Sequence, residues 1–232
     1  MTTTAVLPVK QLSDAKQRLR GLLSNEERNL LTRSMVEDVL VALEVSPFID
    51  EILMVTSDVG LGDLACAYGA TVMQDRGMSG LIASVTAAAH HLGSSCNDIL
   101  VYIPGDIPLL APEDLEIVLD GFGSTNSEEV TLVPADDFGG TNCIVCSPPN
   151  CLEFCFGKNS FRRHLEIAKC LRIAPAVLKL TRIGLDIDTP SDLIRLSQVL
   201  CHSYQDKVTF RYLLGSGILE KACPELLGID RK

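Results

Sequence analysis

The stretch that decides the fold is Asp98-Ile99-Leu100-Val101-Tyr102-Ile103-Pro104-Gly105-Asp106-Ile107-Pro108-Leu109. The continuous apolar run over 99–103 predicts a strand that is buried on both of its faces. Pro104 and Gly105 end this strand abruptly, and the carboxylate of Asp106 follows at once. Ligands of open α/β sheets bind outside the carboxyl ends of the strands. Asp106 is therefore a candidate ligand for a metal or a substrate, and an aspartate that only begins a turn is the open alternative.

Outward from this stretch, strand patterns alternate with helix patterns in the first half of the chain. Strands are predicted over 4–7, 52–55, 70–73, 99–103, 130–133, 143–146 and 176–180. The alternation predicts a single α/β domain with a mostly parallel sheet and right-handed crossovers. Two strands close together in the second half predict an antiparallel insertion. We expect this domain to span 1–204, followed by a less patterned extension of unknown role over 205–232.

Composition excludes some classes of partner. The chain has 232 residues and a net charge of −10, which argues against binding to a nucleic-acid polymer or an anionic membrane. No run approaches the length of a membrane span, and the first residues lack the basic start and apolar region of an export signal. Nine cysteines in such a chain predict free thiols in a reducing cytoplasm.

Basic residues follow the first predicted strand, on the same sheet edge as Asp106. Lys10, Lys16 and Arg18 could clamp a triphosphate there. A solvated basic loop is the alternative, and the local pattern favours it when the loop is taken alone.

Two further carboxylates precede the last predicted helix. Asp186 and Asp188 flank one apolar residue, and as metal ligands they would supply hard oxygen donors. A Mg²⁺ site takes one or two carboxylates and leaves its other positions to phosphates and water. Asp106 with Asp188 meets that need if the two segments adjoin. The alternative is a pair of acids that only stabilise a helix start.

Two glycine-flanked loops are candidate anion sites. The segment 157–160 combines a lysine and a hydroxyl with a helix N-terminus, whose backbone amides attract anions. The segment 139–142 offers amide and hydroxyl donors. An ordinary helix cap or turn explains each equally well. His164, on the helix after the first loop, could face such an anion pocket.

Two other patterns have weak support. The segment 60–65 fits a loose dinucleotide-binding fingerprint, but Asp58 and Asp63 would place negative charge where a pyrophosphate should lie. A possible zinc or cluster site has a spacing that matches no common ligand pattern. It would use Cys143, Cys146, Cys151 and Cys155.

Six stretches, in register from about residue 5 to 200, together resemble one family, the 2-phospho-L-lactate guanylyltransferases of coenzyme F-420 biosynthesis. The stretches are Pro8-Val9-Lys10, Ala15-Lys16-Gln17-Arg18-Leu19, Pro104-Gly105-Asp106-Ile107-Pro108, Gly140-Thr141-Asn142, Phe156-Gly157-Lys158-Asn159-Ser160 with His164, and Asp186-Ile187-Asp188-Thr189-Pro190-Ser191-Asp192-Leu193.

The resemblance implies a nucleotide-diphospho-sugar transferase-like fold, a three-layer sandwich around a mixed, mostly parallel sheet, in a homodimer. It implies transfer of GMP from GTP to the phosphate of 2-phospho-L-lactate with release of pyrophosphate. By the same resemblance, Mg²⁺ would be bound by Asp106 and Asp188, and catalysis would depend on Asp106 and Lys16. GTP would be contacted by Lys10, Lys16, Arg18, Gly80 and Gly105. The acceptor acid would be bound by Thr141, Gly157 and Ser160.

This chemistry needs no protein base, because the second pKa of a phosphate monoester is about 6 and the acceptor is already anionic. The family commonly has an asparagine where Ile82 follows Gly80-Leu81, which weakens the expectation of one nucleotide contact. Phosphoenolpyruvate, which differs by planarity at one carbon, is the nearest alternative acceptor. An NAD-dependent dehydrogenase and a non-catalytic nucleotide-binding protein are more distant alternatives.

Overall fold

The computed structural model describes residues 2–75, 80–93, 98–122 and 127–223 of the chain. Within these segments one sheet contains all the strands. They are β1 (Thr2–Pro8), β2 (Glu51–Thr56), β3 (Thr71–Gln74), β4 (Asp98–Tyr102), β5 (Glu129–Pro134), β6 (Thr141–Ser147) and β7 (Ala176–Val177). Every strand predicted from the sequence is present, with bounds shifted by a few residues.

The strand order is β3-β2-β1-β4-β6-β5-β7. The first four strands in this order, β3-β2-β1-β4, are all parallel to one another. Strand β5 is parallel to β7. β6 runs antiparallel to both β4 and β5. The predicted α/β class with a mostly parallel, mixed sheet is therefore confirmed, and β6 is the antiparallel insertion.

Helices cover both faces of the sheet, which confirms the three-layer sandwich. Helices α1, α2 and α4 contribute to the apolar cluster on one face of the sheet. Helices α3 and α5 contribute to the cluster on the other face. The helices are α1 (Asn25–Glu44), α2 (Val59–Ala67), α3 (Leu81–Leu92), α4 (Pro112–Leu119), α5 (Ser160–Cys170), α6 (Thr181–Gly184), α7 (Pro190–Ser203), α8 (Val208–Gly215) and α9 (Ile218–Ala222).

β4 contributes to both layers of the core, as its unbroken apolar run predicts. Ile99, Val101 and Ile103 join the cluster on one face of the sheet. Leu100 and Tyr102 join the cluster on the other face. Side chains alternate along a strand, so a central strand between two helical layers needs apolar residues at every position.

Two capping patterns in the sequence, Ser24 followed by Glu27 and Thr189 followed by Pro190 and Asp192, predict helix starts, and the structure confirms both. Ser24 and Glu27 form a reciprocal capping box at the start of α1, and Thr189 forms one with Asp192 at the start of α7. Helix α2 begins at Val59, ahead of Gly60 and Gly62, because the carboxylate of Asp58 accepts the N–H of Leu61 and caps the helix.

The sequence after 205 is helical up to the end of the described region, and residues 224–232 of the predicted extension lie outside it. Helices α8 and α9 pack on α1 and α7 through one apolar cluster, to which Leu213, Ile218 and Leu219 contribute. The carboxylate of Asp38, on α1, accepts the N–H groups of Val208 and Thr209 at 2.8 and 2.9 Å. The boundary at 205 stays a prediction.

Asp38→Ala is expected to lower the free energy of unfolding by about 1–3 kcal/mol, because it removes a buried acceptor and leaves two amides at the start of α8 unpaired. Urea unfolding followed by circular dichroism measures this loss. The control is Asp63→Ala, since that aspartate is exposed on α2 and its loss should change stability by less than about 0.5 kcal/mol. Equal stability of the two variants would contradict the capping role.

The cysteine pattern does not form a metal site in the described segments. Cys143 and Cys146 both lie on β6 but belong to the clusters on opposite faces of the sheet, so they cannot bind one ion together. None of the eight cysteines that the structure describes forms a disulfide.

A search of the described helices finds none with the length and apolar character needed to cross a membrane.

Candidate active site

A cavity of about 1000 Å³ opens at the carboxyl ends of β1 and β4. The loop after β1 forms one wall, and the start of β6 with the loop before α5 forms the opposite wall. The segment between α6 and α7 closes the floor beside Asp106. The sheet therefore gathers at one edge the loops that the sequence singled out separately.

Asp106 is held in place by close packing of the residue before it. A Cβ atom at Gly105 would lie 2.9 Å from Val36 Cγ2 and 3.1 Å from Val9 Cγ2. Only glycine lets the end of β4 approach α1 and the end of β1 this closely. Gly105 itself lines the cavity, and Asp106 follows it there. The predicted contact of Gly105 with GTP stays a prediction.

Three carboxylates meet at this point. Asp106, Asp186 and Asp188 each offer an oxygen, and these oxygens lie within 4.8 Å of one another. The N–H of Ile187 donates to the backbone oxygen of Asp106 at 3.1 Å, which fixes the two segments side by side. The sequence suggested Asp106 and Asp188 as a ligand pair only if their segments adjoin, and in the structure they do. The donor set, hard oxygens from separate segments, fits Mg²⁺, and Asp186 is available as a third ligand.

Lys16 extends into the carboxylate cluster. Its Nζ donates to Asp106 and, at 2.8 Å, to Asp188, and its side chain is only 7% exposed. Burial opposes the charged form of Lys16, but the two carboxylates outweigh burial and raise its pKa. The same ammonium outweighs the effect of burial on Asp188 and lowers the pKa of that carboxyl. Arg18 is more remote, with Nη1 at 3.7 Å from Asp188 and a 74% exposed side chain.

The backbone of Lys16 supports a functional role for this residue. Its φ of 50° and ψ of 45° lie in the left-handed region, which disfavours a residue with a Cβ by about 1–2 kcal/mol. Strain of this kind persists where the surrounding structure imposes it, and it concentrates at functional sites. At Lys16 the conformation accompanies a buried ammonium group bonded to two half-buried carboxylates.

Asn142 supports Asp186 from behind. Its Nδ2 donates to the carboxylate of Asp186 at 3.0 Å and to the backbone oxygen of Ile183 at 2.9 Å. Burial, and then the charge of Asp106, raise the pKa of Asp186 to about 6, and the bond from Asn142 opposes this rise. Asn142 thus orients Asp186 and favours its ionised form.

Asn142→Ala is expected to weaken Mg²⁺ binding by about 10- to 100-fold, the usual cost of losing a partner of a metal ligand. Isothermal titration calorimetry of the purified protein with MgCl₂ measures this affinity. Asn150→Ala is the matched control, because Asn150 is exposed and does not line the cavity. Unchanged Mg²⁺ affinity in Asn142→Ala would remove Asp186 from the metal site.

The opposite wall carries the predicted acceptor residues. Thr141, Gly157 and Ser160 all line the cavity, together with Lys158. Helix α5 begins at this wall with Ser160, whose N–H donates to the backbone oxygen of Gly157. The side chain of Asn159, at the cap position, bonds to none of the amides in the first turn. These amides, the lysine and the two hydroxyls form a group of donors suited to an anion.

Two predicted nucleotide contacts differ in position. Lys10 is exposed and lines the cavity. Gly80 does not line it; this glycine caps α3 with a φ of 102°, and the next residue, Leu81, reaches the cavity wall. Ile82, where the family commonly has asparagine, is 43% exposed.

One ion pair in the lining of the cavity was not predicted from the sequence. Arg195, on α7, forms an ion pair with Asp136, in the turn after β5, and both residues line the cavity. Arg195 lies on an amphipathic helix where a basic residue is ordinary, so no local signal distinguishes it.

Two other predictions are resolved by the positions of their residues. His164 is fully buried and does not line the cavity itself, but it bonds to Thr141, which does. At the start of α2, the carboxylate of Asp58 accepts amides of both Leu61 and Leu12. A negative group therefore occupies the place that a dinucleotide pyrophosphate would need, which argues against the dehydrogenase alternative.

Comparison with known proteins identifies related sequences. A family model described as "Guanylyl transferase CofC like" matches residues 3–220. A phosphoenolpyruvate guanylyltransferase of Roseiflexus sp. strain RS-1 is 36% identical, over 85% of this chain and 86% of that protein. A 3-phospho-D-glycerate guanylyltransferase of Colwellia psychrerythraea is 34% identical, over 83% and 90%. A 2-phospho-L-lactate guanylyltransferase of Methanothermobacter thermautotrophicus is 28% identical, over 83% of each chain.

A solved structure shares the fold. A protein of Desulfovibrio desulfuricans G20, assigned to the nucleotide-diphospho-sugar transferases, superposes with a TM-score of 0.73 at 19% identity, over the full length of both chains. The similarity confirms the predicted nucleotide-diphospho-sugar transferase-like fold.

Proposed function

The chain belongs to the CofC-like guanylyl transferase family, and we propose that it transfers GMP from GTP to the phosphate of a three-carbon phosphorylated carboxylic acid, with release of pyrophosphate. The observation that carries the proposal is the position of the carboxylate cluster. Asp106, Asp186 and Asp188, with Lys16 bonded among them, lie between a basic wall and a wall of anion donors in one cavity.

The two walls suit the two substrates. The loop after β1, with Lys10, Lys16 and Arg18, would contact the triphosphate of GTP. Thr141 and the N-terminus of α5 would bind the acceptor acid. Both substrates are anionic, and the cavity offers them cations and backbone amides where each would lie.

The reaction joins an oxygen of the acceptor phosphate to the α-phosphorus of GTP and breaks the bond from that phosphorus to the β-phosphate. The attacking oxygen is already anionic, so no side chain needs to remove a proton. In agreement, the described lining of the cavity contains no histidine or cysteine. The work of the protein is to align attacker and leaving group and to compensate negative charge.

Mg²⁺ is proposed as the metal, held by Asp106 and Asp188 with Asp186 as a further oxygen ligand. When bound, it would neutralise charge on the triphosphate and stabilise the departing pyrophosphate. Lys16 would then be free to donate to phosphate oxygens, since its present partners are the same carboxylates.

The identity of the acid rests on the relatives. The sequence prediction named 2-phospho-L-lactate, with phosphoenolpyruvate as the nearest alternative. The relatives named for phosphoenolpyruvate include one at 36% identity, and the one reported above for 2-phospho-L-lactate is 28% identical. We therefore place phosphoenolpyruvate first and 2-phospho-L-lactate second, and keep a role in coenzyme F-420 biosynthesis as part of the proposal.

Pyrophosphate release tests the proposal directly. The purified protein is given GTP and MgCl₂ with phosphoenolpyruvate, 2-phospho-L-lactate or 3-phospho-D-glycerate in turn, and mass spectrometry identifies the guanosyl diphospho product. ATP and CTP replace GTP to test base choice, and EDTA tests the metal requirement. Release with none of the three acids would sink the proposal, and GTP binding without turnover would favour the non-catalytic alternative.

Two further proposals concern the whole molecule. We keep the homodimer expected from the resemblance, and light scattering after size-exclusion chromatography tests it. We also keep the reducing cytoplasm as the compartment, to be tested by fractionation of the source cells.

A further inference from the structure

His164 is buried behind Thr141 of the acceptor wall, and both of its ring nitrogens have partners. The side chain is fully buried on α5. Its Nδ1 lies 2.9 Å from Thr141 Oγ1, and its Nε2 lies 3.0 Å from the backbone nitrogen of Cys155. The ring of Phe156 packs edge-on against it, with centroids 5.6 Å apart. The imidazole therefore has a fixed orientation.

The partners of the ring determine where its proton lies. A backbone N–H can only donate, so Nε2 must be the unprotonated acceptor of the bond from Cys155. Burial, and then the charge of Arg163, lower the pKa of His164 to about 4, so the ring is neutral near pH 7. A neutral imidazole carries one proton, and here that proton must be on Nδ1.

The proton on Nδ1 decides the direction of the hydroxyl of Thr141. Because Nδ1–H donates to Thr141 Oγ1, the hydroxyl accepts in this bond and keeps its own proton for another partner. The described residues supply Thr141 Oγ1 with no other hydrogen bond. Thr141 lines the cavity beside Gly157 and Ser160. With the opposite tautomer, Thr141 would donate to the ring and present only lone pairs, which repel an anion.

We propose that His164 is a positioning residue for the acceptor acid, because its Nδ1–H holds the hydroxyl of Thr141 with its proton directed at an anionic oxygen of that acid. This inference rests on the proposed function, since it assigns the anion at this wall to the acceptor. His164 acts through Thr141 and does not touch the reacting atoms.

Two substitutions separate the two bonds of the ring. In His164→Asn, an amide N–H lies near the position of Nδ1, so donation to Thr141 is kept and the bond from Cys155 is lost. In His164→Gln, a carbonyl oxygen lies near the position of Nε2, so the bond from Cys155 is kept and donation to Thr141 is lost. If His164 were only structural, loss of either bond would not affect the KM for the acceptor acid differently from the KM for GTP.

His164→Gln is expected to raise the KM for the acceptor acid by about 10- to 100-fold, the range for a lost hydrogen bond to a charged group. His164→Asn should keep that KM within about threefold of wild type. Neither should change the KM for GTP. Thr141→Val should match His164→Gln, and the double variant should be no worse than Thr141→Val alone, because both remove the same donor.

The tautomer has its own readout, which does not depend on turnover. Long-range ¹H–¹⁵N spectra of the wild-type protein near pH 7 distinguish a protonated Nδ1 from a protonated Nε2. The chain has four histidines, and the signal that is missing from the spectrum of His164→Asn or His164→Gln is assigned to His164. A protonated Nε2 on His164 would overturn the inference.

Kinetic outcomes also separate this inference from the proposed function. No turnover by the wild-type enzyme with any acid would overturn both. Turnover by wild type, with an unchanged acceptor KM in His164→Gln or with equal rises in the KM for GTP, would overturn only the role of His164. Additive rises in the acceptor KM when His164→Gln and Thr141→Val are combined would also overturn the role of His164.

Discussion

Asp106→Asn is expected to reduce the rate of pyrophosphate release on the order of 10³-fold, at the upper end of what removal of one charge-stabilising group costs. Asparagine has nearly the same shape but no charge. It would weaken the proposed metal site, whose three carboxylate oxygens lie within 4.8 Å, and remove the partner of Lys16.

The fold should survive this change. The contact between the segments that hold Asp106 and Asp188 uses the backbone oxygen of Asp106, which accepts the N–H of Ile187, and the side chain of Asp106 is 25% exposed. Initial rates with saturating substrates and circular dichroism spectra measure the two quantities. Asp98→Asn, at the other end of β4, is the matched control and should keep its activity. An unimpaired Asp106→Asn enzyme would remove Asp106 from the mechanism.

Lys16→Met is expected to change two quantities in opposite directions. Turnover should fall by about 10²- to 10³-fold, because the triphosphate loses a buried cation. Mg²⁺ binding without nucleotide should become tighter, because the ammonium of Lys16 bonds to Asp106 and Asp188, the same groups that would bind the metal.

Rates of pyrophosphate release and calorimetric titration with MgCl₂ measure these two effects. Lys169→Met is the control, since Lys169 is exposed in the last turn of α5 and does not line the cavity. A lysine that only stabilises the fold would lower turnover without tightening Mg²⁺ binding. Weaker metal binding in Lys16→Met would therefore contradict the competition between ammonium and metal.

Local patterns in the sequence were sufficient to predict most of the scaffold. The apolar run over 99–103 predicted a strand buried on both faces, because the run is short and is ended by Pro104 and Gly105. Ser24 with Glu27, and Thr189 with Asp192, predicted two helix starts, because capping is decided within four residues. The helices after 205 were missed, since α8 takes its cap from Asp38 on α1, far away in the sequence.

The candidate site was predictable in part, and its parts became a site only in three dimensions. Asp106 follows a strand, and an α/β sheet places such residues at its ligand-binding edge, so the sequence alone marked this position. Whether Asp188 adjoins it, and whether Asp186 joins them, depends on a contact between segments about 80 residues apart. That contact is set by the backbone bond from Ile187 to Asp106, which no local pattern contains.

The sequence by itself thus determined the α/β class, the mostly parallel sheet and the sheet edge of the candidate site, because periodicity, capping and strand ends are local properties. Only the tertiary structure decided which polar groups bond to one another at that edge. Lys16 reaches Asp106 across 90 residues of sequence, and His164 reaches Thr141 across 23. Such bonds follow from the order and direction of the strands and from side-chain orientation, and these arise from packing of the whole chain.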